Sequence, residues 1–202
     1  MDAEDQSCGK MNKDNKEDLS NFCLQYAERL SGVISSTDWS NVGLLGEDIR
    51  RCWLEGRRVF LCGNGGSAGN AIHLANDLLY GVAKRTGAGV KVQALSANQS
   101  VITCFANDID YESIYSEQLA VLAEPGDLLV VLSGSGNSPN IIRVVEQAKK
   151  IGVRSVAILG YAGGKCKAIA DLSIHFPVDD MQISEDMQLI VGHMIMKWLN
   201  QN

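Results

Sequence analysis

Residues 127–140 read DLLVVLSGSGNSPN. The apolar run at 127–132 predicts a buried strand, and a loop of small polar residues follows it. The pattern IIRVVEQAKK then predicts a helix that begins directly after the loop. Glycines in such a turn let a ligand approach the backbone closely, and the new helix offers free N–H groups.

The loop Ser133-Gly134-Ser135-Gly136-Asn137-Ser138 is suited to an anion. Three hydroxyls join the positive end of the helix dipole, so the loop favours a phosphate. The plain alternative is a tight turn capped by one serine, which needs only one or two of these residues. The loop has neither G-x-G-x-x-G nor a P-loop lysine, which disfavours a nucleotide.

Four more short apolar runs, at residues 59–62, 90–95, 155–159 and 172–178, predict four more strands. Strands that alternate with helical stretches are typical of an α/β fold with a doubly wound, five-stranded parallel sheet. Such sheets bind ligands at the carboxyl ends of strands where the topology switches. The loops after the first and third strands are therefore the expected site.

The N-terminal part has a different organisation. Residues 1–16 are polar and charged, and they predict a disordered leader. Apolar residues at helical spacing predict one helix across residues 22–34 and a second across 39–54. We expect residues 17–202 to form a single domain with this helical extension, which serves in assembly.

Composition narrows the class of protein. The 202 residues carry a net charge of -6, which gives no reason to expect a nucleic-acid partner. Six cysteines without a C-x-x-C pair argue against a thiolate zinc cluster. Since no segment resembles a signal peptide or a bilayer span, we expect a cytoplasmic protein with reduced thiols and no membrane partner.

Two helical segments each pair a histidine with an acid. His73 and Asp77 are four residues apart, Glu185 and His193 are eight apart, and each pair shares a helix face. The four side chains suit a zinc-type metal, and they suit acid–base chemistry equally well. Taken singly, each is more often a solvated charge or a core histidine, and apolar neighbours make core packing a strong alternative for His73. Spacing alone does not bring the two helices together.

Two short segments are weaker candidates for ligand contact. Residues 63–67, GNGGS, end the first strand and lead into a helix, although glycine-rich turns are common. Asn107 and Asp108 follow the apolar segment VITCFA, where a helix-terminal turn is an equal explanation.

Together these pieces resemble the SIS (sugar isomerase) domain family, and most closely the phosphoheptose isomerases. The matching segments are CGNGGSAGNAIHLANDL, CFANDIDY, LSGSGNSPNII and EDMQLIVGH, and the likeness covers about residues 17–200. It implies a SIS-type, flavodoxin-like three-layer sandwich and a cytosolic homotetramer with active sites at subunit interfaces. It also implies isomerisation of sedoheptulose 7-phosphate to D-glycero-D-manno-heptose 7-phosphate, for surface polysaccharide precursors.

The resemblance assigns roles to single residues. It implies one zinc ion per subunit, held by His73, Asp77, Glu185 and His193, and we assign Asp77 as the catalytic base and His193 as the acid. The substrate contacts that it implies are Asn64, Gly65, Gly66, Asn107, Asp108, Ser133, Gly134, Ser135, Ser138 and Glu185.

Four departures from the family pattern leave a second interpretation open. Asp77 stands in place of a glutamate, Glu185 in place of a glutamine and Gly134 in place of a threonine, and the arginine expected within residues 78–82 is missing. The alternative is a non-catalytic SIS module that binds a sugar phosphate or the replication initiator. A histidine or an acid at all four metal positions favours the enzyme.

Overall fold

The structure, a computed structural model, describes residues 18–201, which divide after Ser36 into two compact units. The described part of the first unit is helix α1, Leu19–Ser36. None of the α1 side chains is buried, although Leu19, Phe22 and Leu24 are apolar. The leader predicted for residues 1–16 lies outside the described residues.

The second unit alternates helices with strands. Its helices are α2 (Ser40–Glu55), α3 (Gly66–Asn76), α4 (Val82–Thr86), α5 (Gln99–Asp108), α6 (Ser116–Leu122), α7 (Pro139–Lys150), α8 (Cys166–Ile169) and α9 (Met181–Leu199). Its strands are β1 (Arg58–Gly63), β2 (Lys91–Ala94), β3 (Leu128–Ser133), β4 (Arg154–Leu159) and β5 (Leu172–His175). A π-helical turn, Asp77–Gly81, connects α3 to α4, and a 3₁₀ turn, Tyr111–Ser113, precedes α6.

The five strands form one parallel sheet in the order β2-β1-β3-β4-β5. The predicted fold class, with its two N-terminal helices, is confirmed. Because β2 lies on one side of β1 and β3 on the other, the carboxyl ends of β1 and β3 flank the switch point. Strand β5 ends at His175, earlier than predicted, because Pro177 has no N–H to donate to the sheet.

Alternate strand residues face opposite helical layers, as the pleat requires. Phe60 and Leu129 belong to a buried cluster that includes side chains of α6 and α7. Leu61 and Val130, one residue further along each strand, line a small cavity with residues of α2, α3 and α9. The sheet therefore holds α3 and α9 together on one face. Within residues 18–201, no helix has both the length and the apolar character that a membrane span requires.

Candidate active site

Three side chains converge where α3 and α9 meet. The Nε2 atoms of His73 and His193 are 3.0 Å apart, and Asp77 Oδ2 lies 3.4 Å from each of them. Asp77 opens the π-helical turn that follows α3, and His193 lies in the second half of α9. The structure thus brings His193 to the pair His73 and Asp77, which spacing alone could not do.

The triangle formed by these three atoms fits a divalent metal. Tetrahedral zinc with ligand bonds of about 2.0–2.1 Å has ligand-to-ligand edges of about 3.3–3.4 Å. The edges of 3.0, 3.4 and 3.4 Å are close to that value, and two imidazoles with one carboxylate are an ordinary zinc donor set. Among the described residues, His73, Asp77 and His193 are the group that could hold such an ion.

The exposure of the three side chains separates them from ordinary core residues. His73 is 50% exposed and His193 is 44% exposed, whereas Asp77 is 17% exposed. The core-packing alternative for His73 is therefore wrong. The carboxylate is mostly screened from water while both imidazoles remain accessible, which suits a site that must admit a substrate.

Glu185, the fourth predicted ligand, is not part of this triangle. It lies in the first half of α9, and its carboxylate rests against Gly66, the first residue of α3. A Cβ atom at position 66 would collide with the carboxylate of Glu185 where it now lies. An acid beside a helix N-terminus is favourable, because the free N–H groups carry partial positive charge.

Side-chain amides fix α3 against α9. Gln188, 1% exposed, donates from Nε2 to Ser67 Oγ at 3.0 Å and accepts from Asn70 Nδ2 at 3.0 Å. Asn70 also donates to the Glu185 carbonyl at 3.0 Å. These bonds set the register of the helices and so the separation of the two histidines. The sequence analysis missed Gln188; its signal was a lone amide within the largely apolar run MQLIV.

The serine loop after β3 is folded on itself by its own hydroxyls. Ser133 Oγ accepts from the Gly136 N–H at 3.1 Å, and Ser135 Oγ accepts from the Asn137 N–H at 3.2 Å. Ser138 is the N-cap residue of α7, yet its side chain makes no capping bond. Both acceptor hydroxyls keep their own hydrogens for a ligand, so the loop retains the donors that a phosphate needs.

Gly134, the departure within this loop, lies directly beneath Met181. A Cβ atom at position 134 would come within 2.5 Å of the sulfur of Met181, which is the first residue of α9. The side chain of Met181 therefore occupies the space above Gly134 that a threonine side chain would need.

The weaker candidates lie at two other element ends. Asn107 and Asp108 end α5, where Asn107 Nδ2 donates to Asp108 Oδ1 at 2.8 Å and lowers the pKa of that carboxyl. Asn64 follows β1, and Gly65 is the N-cap residue of α3. The side chain of Asn64 pairs with Asn140 of α7, a residue that the sequence analysis did not single out.

Comparison with known proteins places this chain in a family. The SIS domain model matches residues 22–160. A phosphoheptose isomerase of Akkermansia muciniphila is 41% identical over 140 residues, which are 69% of this chain and 74% of the relative. The chain belongs to the SIS domain family, among the phosphoheptose isomerases. A second phosphoheptose isomerase, from Chlorobaculum parvum, is 32% identical over 176 residues, which cover 86% of this chain and 84% of the relative.

A solved structure supports the same fold for this SIS domain. The phosphoheptose isomerase of Neisseria gonorrhoeae superposes with a TM-score of 0.83, covering 91% of this chain and 98% of its own, at 24% identity. The Chlorobaculum match extends the likeness well beyond residue 160, toward the C-terminal helix that carries His193.

Proposed function

We propose that the protein is an aldose–ketose isomerase that converts sedoheptulose 7-phosphate to D-glycero-D-manno-heptose 7-phosphate, for surface polysaccharide precursors. The observation that carries the proposal is the 3.4 Å approach of Asp77 Oδ2 to His193 Nε2 in a chain of the phosphoheptose isomerase family. A carboxylate and an imidazole this close can divide between them the two proton transfers that isomerisation needs.

The proposed chemistry moves one carbon-bound proton and one oxygen-bound proton. Asp77 removes a proton from C1 of the ketose to give an enediol, and it returns a proton to C2. His193 protonates the oxygen on C2, and it then takes the proton from the oxygen on C1 as the new aldehyde forms. No atom is gained or lost overall, so the chain needs only a base, an acid and a held substrate.

We propose that His73, Asp77 and His193 also hold a divalent metal, zinc in the first instance. When bound, the ion would stabilise negative charge on the substrate oxygens. One nitrogen cannot hold an ion and a proton together, so His193 acts either as a ligand or as the acid. Asp77 keeps Oδ1 for the carbon-bound proton in both cases. Glu185 stays a predicted fourth ligand and would have to leave Gly66 to serve.

Substrate contacts are proposed at three loops. The phosphate would lie on the serine loop, against Ser133, Gly134, Ser135 and Ser138. The sugar would contact Asn64, Gly65, Gly66, Asn107, Asp108 and Glu185. The position of the serine loop at the N-terminus of α7 supports the phosphate assignment, because the positive end of the helix dipole favours anions.

We further propose a cytoplasmic homotetramer with active sites at subunit interfaces. Both histidines of the triangle are about half exposed, which leaves room for a neighbouring subunit to complete the site. The apolar side chains of α1 are exposed as well and are available for association.

Interconversion measured by NMR tests the enzyme proposal. The parent protein is incubated with a panel of ketose and aldose phosphates, and Asp77→Asn should lower the rate about a hundred-fold or more, the scale of a general base. Asp179→Asn, an exposed acid that precedes α9, is the matched control and should keep the parent rate. A parent that is inactive across the panel but binds sugar phosphates would favour the non-catalytic module.

A further inference from the structure

Asn64 and Asn140 form a closed pair of side-chain amides. Asn64 Nδ2 donates to Asn140 Oδ1 at 2.8 Å, and Asn140 Nδ2 donates back to Asn64 Oδ1 at 2.9 Å. Asn140 is 2% exposed, whereas Asn64 is only partly buried. The pair therefore has a buried inner member and an outer member that still faces the site.

The pair also joins the two loops that flank the switch point. Asn64 directly follows β1, and Asn140 is the second residue of α7, two positions after Ser138. Across a separation of 76 residues, these two bonds tie the loop expected to hold the sugar to the loop expected to hold the phosphate.

Two reciprocal bonds fix the orientation of one amide relative to the other. A carboxamide has two N–H donors and two acceptor lone pairs, and it can rotate by half a turn at little steric cost. If Asn64 alone rotated by half a turn, its NH2 group would face the NH2 group of Asn140, and its oxygen would face the Asn140 oxygen. Asn64 is thus held with one N–H still free for a ligand, while Tyr111 Oη approaches its oxygen at 3.5 Å.

We propose that Asn140 is a positioning residue for sugar recognition, because it fixes the amide of Asn64 in the orientation that the substrate requires. This inference rests on the proposed function, in which Asn64 contacts the sugar. Asn140 itself is buried beneath Asn64 and acts through it. The alternative is that Asn140 only stabilises the start of α7.

A double-mutant cycle of Asn140 and Asn64, with kcat/KM measured on sedoheptulose 7-phosphate, separates these two roles. Asn140→Leu keeps the branched shape of the side chain but removes the amide, and it should lower kcat/KM about ten- to a hundred-fold, the scale of a small misplacement in an active site. In an Asn64→Ala background the same change should alter kcat/KM by about twofold or less, the scatter expected for effects that do not couple. Equal losses in both backgrounds would overturn the proposal.

Two further measurements guard against a general loss of structure. Gln118→Leu removes another buried amide, on α6, and should keep the parent kcat/KM while it lowers thermal stability. Inhibition by inorganic phosphate should be unchanged in Asn140→Leu. A phosphate inhibition constant that rises as much as kcat/KM falls would show that Asn140 acts through the serine loop, and would overturn the inference.

The experiment also distinguishes this inference from the isomerase proposal. If the parent binds sedoheptulose 7-phosphate without turnover, the isomerase proposal fails. The affinities of the parent and of the three variants in the cycle are then measured by calorimetry. Coupling in that cycle would support the role of Asn140, and its absence would overturn that role. A parent that neither turns over nor binds the sugar phosphate overturns both.

Discussion

Asp77 Oδ2 lies equally far from two imidazole nitrogens, 3.4 Å from each, and those nitrogens are 3.0 Å from one another. If one of the two nitrogens carries a proton, that proton can form a good hydrogen bond along only one edge of the triangle. On another edge, two lone pairs then face each other. A single cation satisfies all three atoms at once. The geometry at the residue scale therefore favours an ion over a purely hydrogen-bonded cluster.

Metal content tests this reading, and the chain supplies its own control. Zinc should be near one ion per chain in protein purified without a histidine tag, and it should fall in His73→Ala and His193→Ala. The sequence has three histidines, and the third, His175, is bonded to Lys167 and the Tyr161 carbonyl, outside the triangle. His175→Ala should keep the parent content in mass spectrometry. A parent without metal, even after zinc is added, would leave Asp77 and His193 as a metal-free pair.

The hydroxyls of the serine loop allow a second prediction for single residues. Ser138→Ala removes a hydroxyl that makes no capping bond, so the helix should lose little while a charged phosphate loses a donor. We expect affinity for a phosphorylated sugar to fall about ten- to a hundred-fold, from a lost bond of about 1.5–3 kcal/mol. Calorimetry with the unphosphorylated sugar is the control. Equal affinity of the parent for both sugars would contradict a phosphate site here.

Among the elements, α3 and α9 pack with almost no clearance. Gly192, next to His193, lies against Leu74, and a Cβ atom at position 192 would collide with the leucine methyl groups. Gly69 of α3, by contrast, has open space around its Cα. The two glycines share a helical setting and differ in their surroundings, so they form a matched pair for substitution.

We expect Gly192→Ala to lower the free energy of unfolding by about 1–3 kcal/mol, because an overpacked contact forces a shift of α9. Gly69→Ala should leave it unchanged or raise it by about 0.5–1 kcal/mol, since alanine favours the helix. Urea denaturation followed by circular dichroism measures both. If Gly192→Ala is as stable as Gly69→Ala, the close contact does not hold in solution.

Elements were easier to predict than the contacts between them. The runs at residues 59–62 and 127–132 became strands because both faces of the sheet are covered and every position must be apolar. No local pattern specifies that Gln188 meets Ser67, that Asn140 meets Asn64, or that Glu185 rests on Gly66. Those contacts depend on how helices far apart in sequence rotate against each other. The family resemblance, and not spacing, named His73 and His193 together.

For the whole molecule, the proposed homotetramer predicts a mass in solution. Light scattering at micromolar concentration should give about four times the 21.8 kDa chain mass. Phe22→Glu places a charge among the exposed apolar residues of α1 and should lower that mass, because burying an unpaired charge at an interface is unfavourable. Ser31→Glu, an exposed polar position of the same helix, is the control. A monomeric parent would contradict both the tetramer and the shared sites.

The 120 residues that separate His73 from His193 have a consequence for the newly made chain. At a synthesis rate of about 5–20 residues per second, the first histidine leaves the ribosome roughly 6–24 seconds before the second. During that interval α3 has neither the Gln188 amide nor the His193 imidazole of α9. A nascent chain arrested before residue 185 should therefore carry a folded βα unit with an exposed Leu74 and no triangle. The triangle can therefore form only after α9 has been translated.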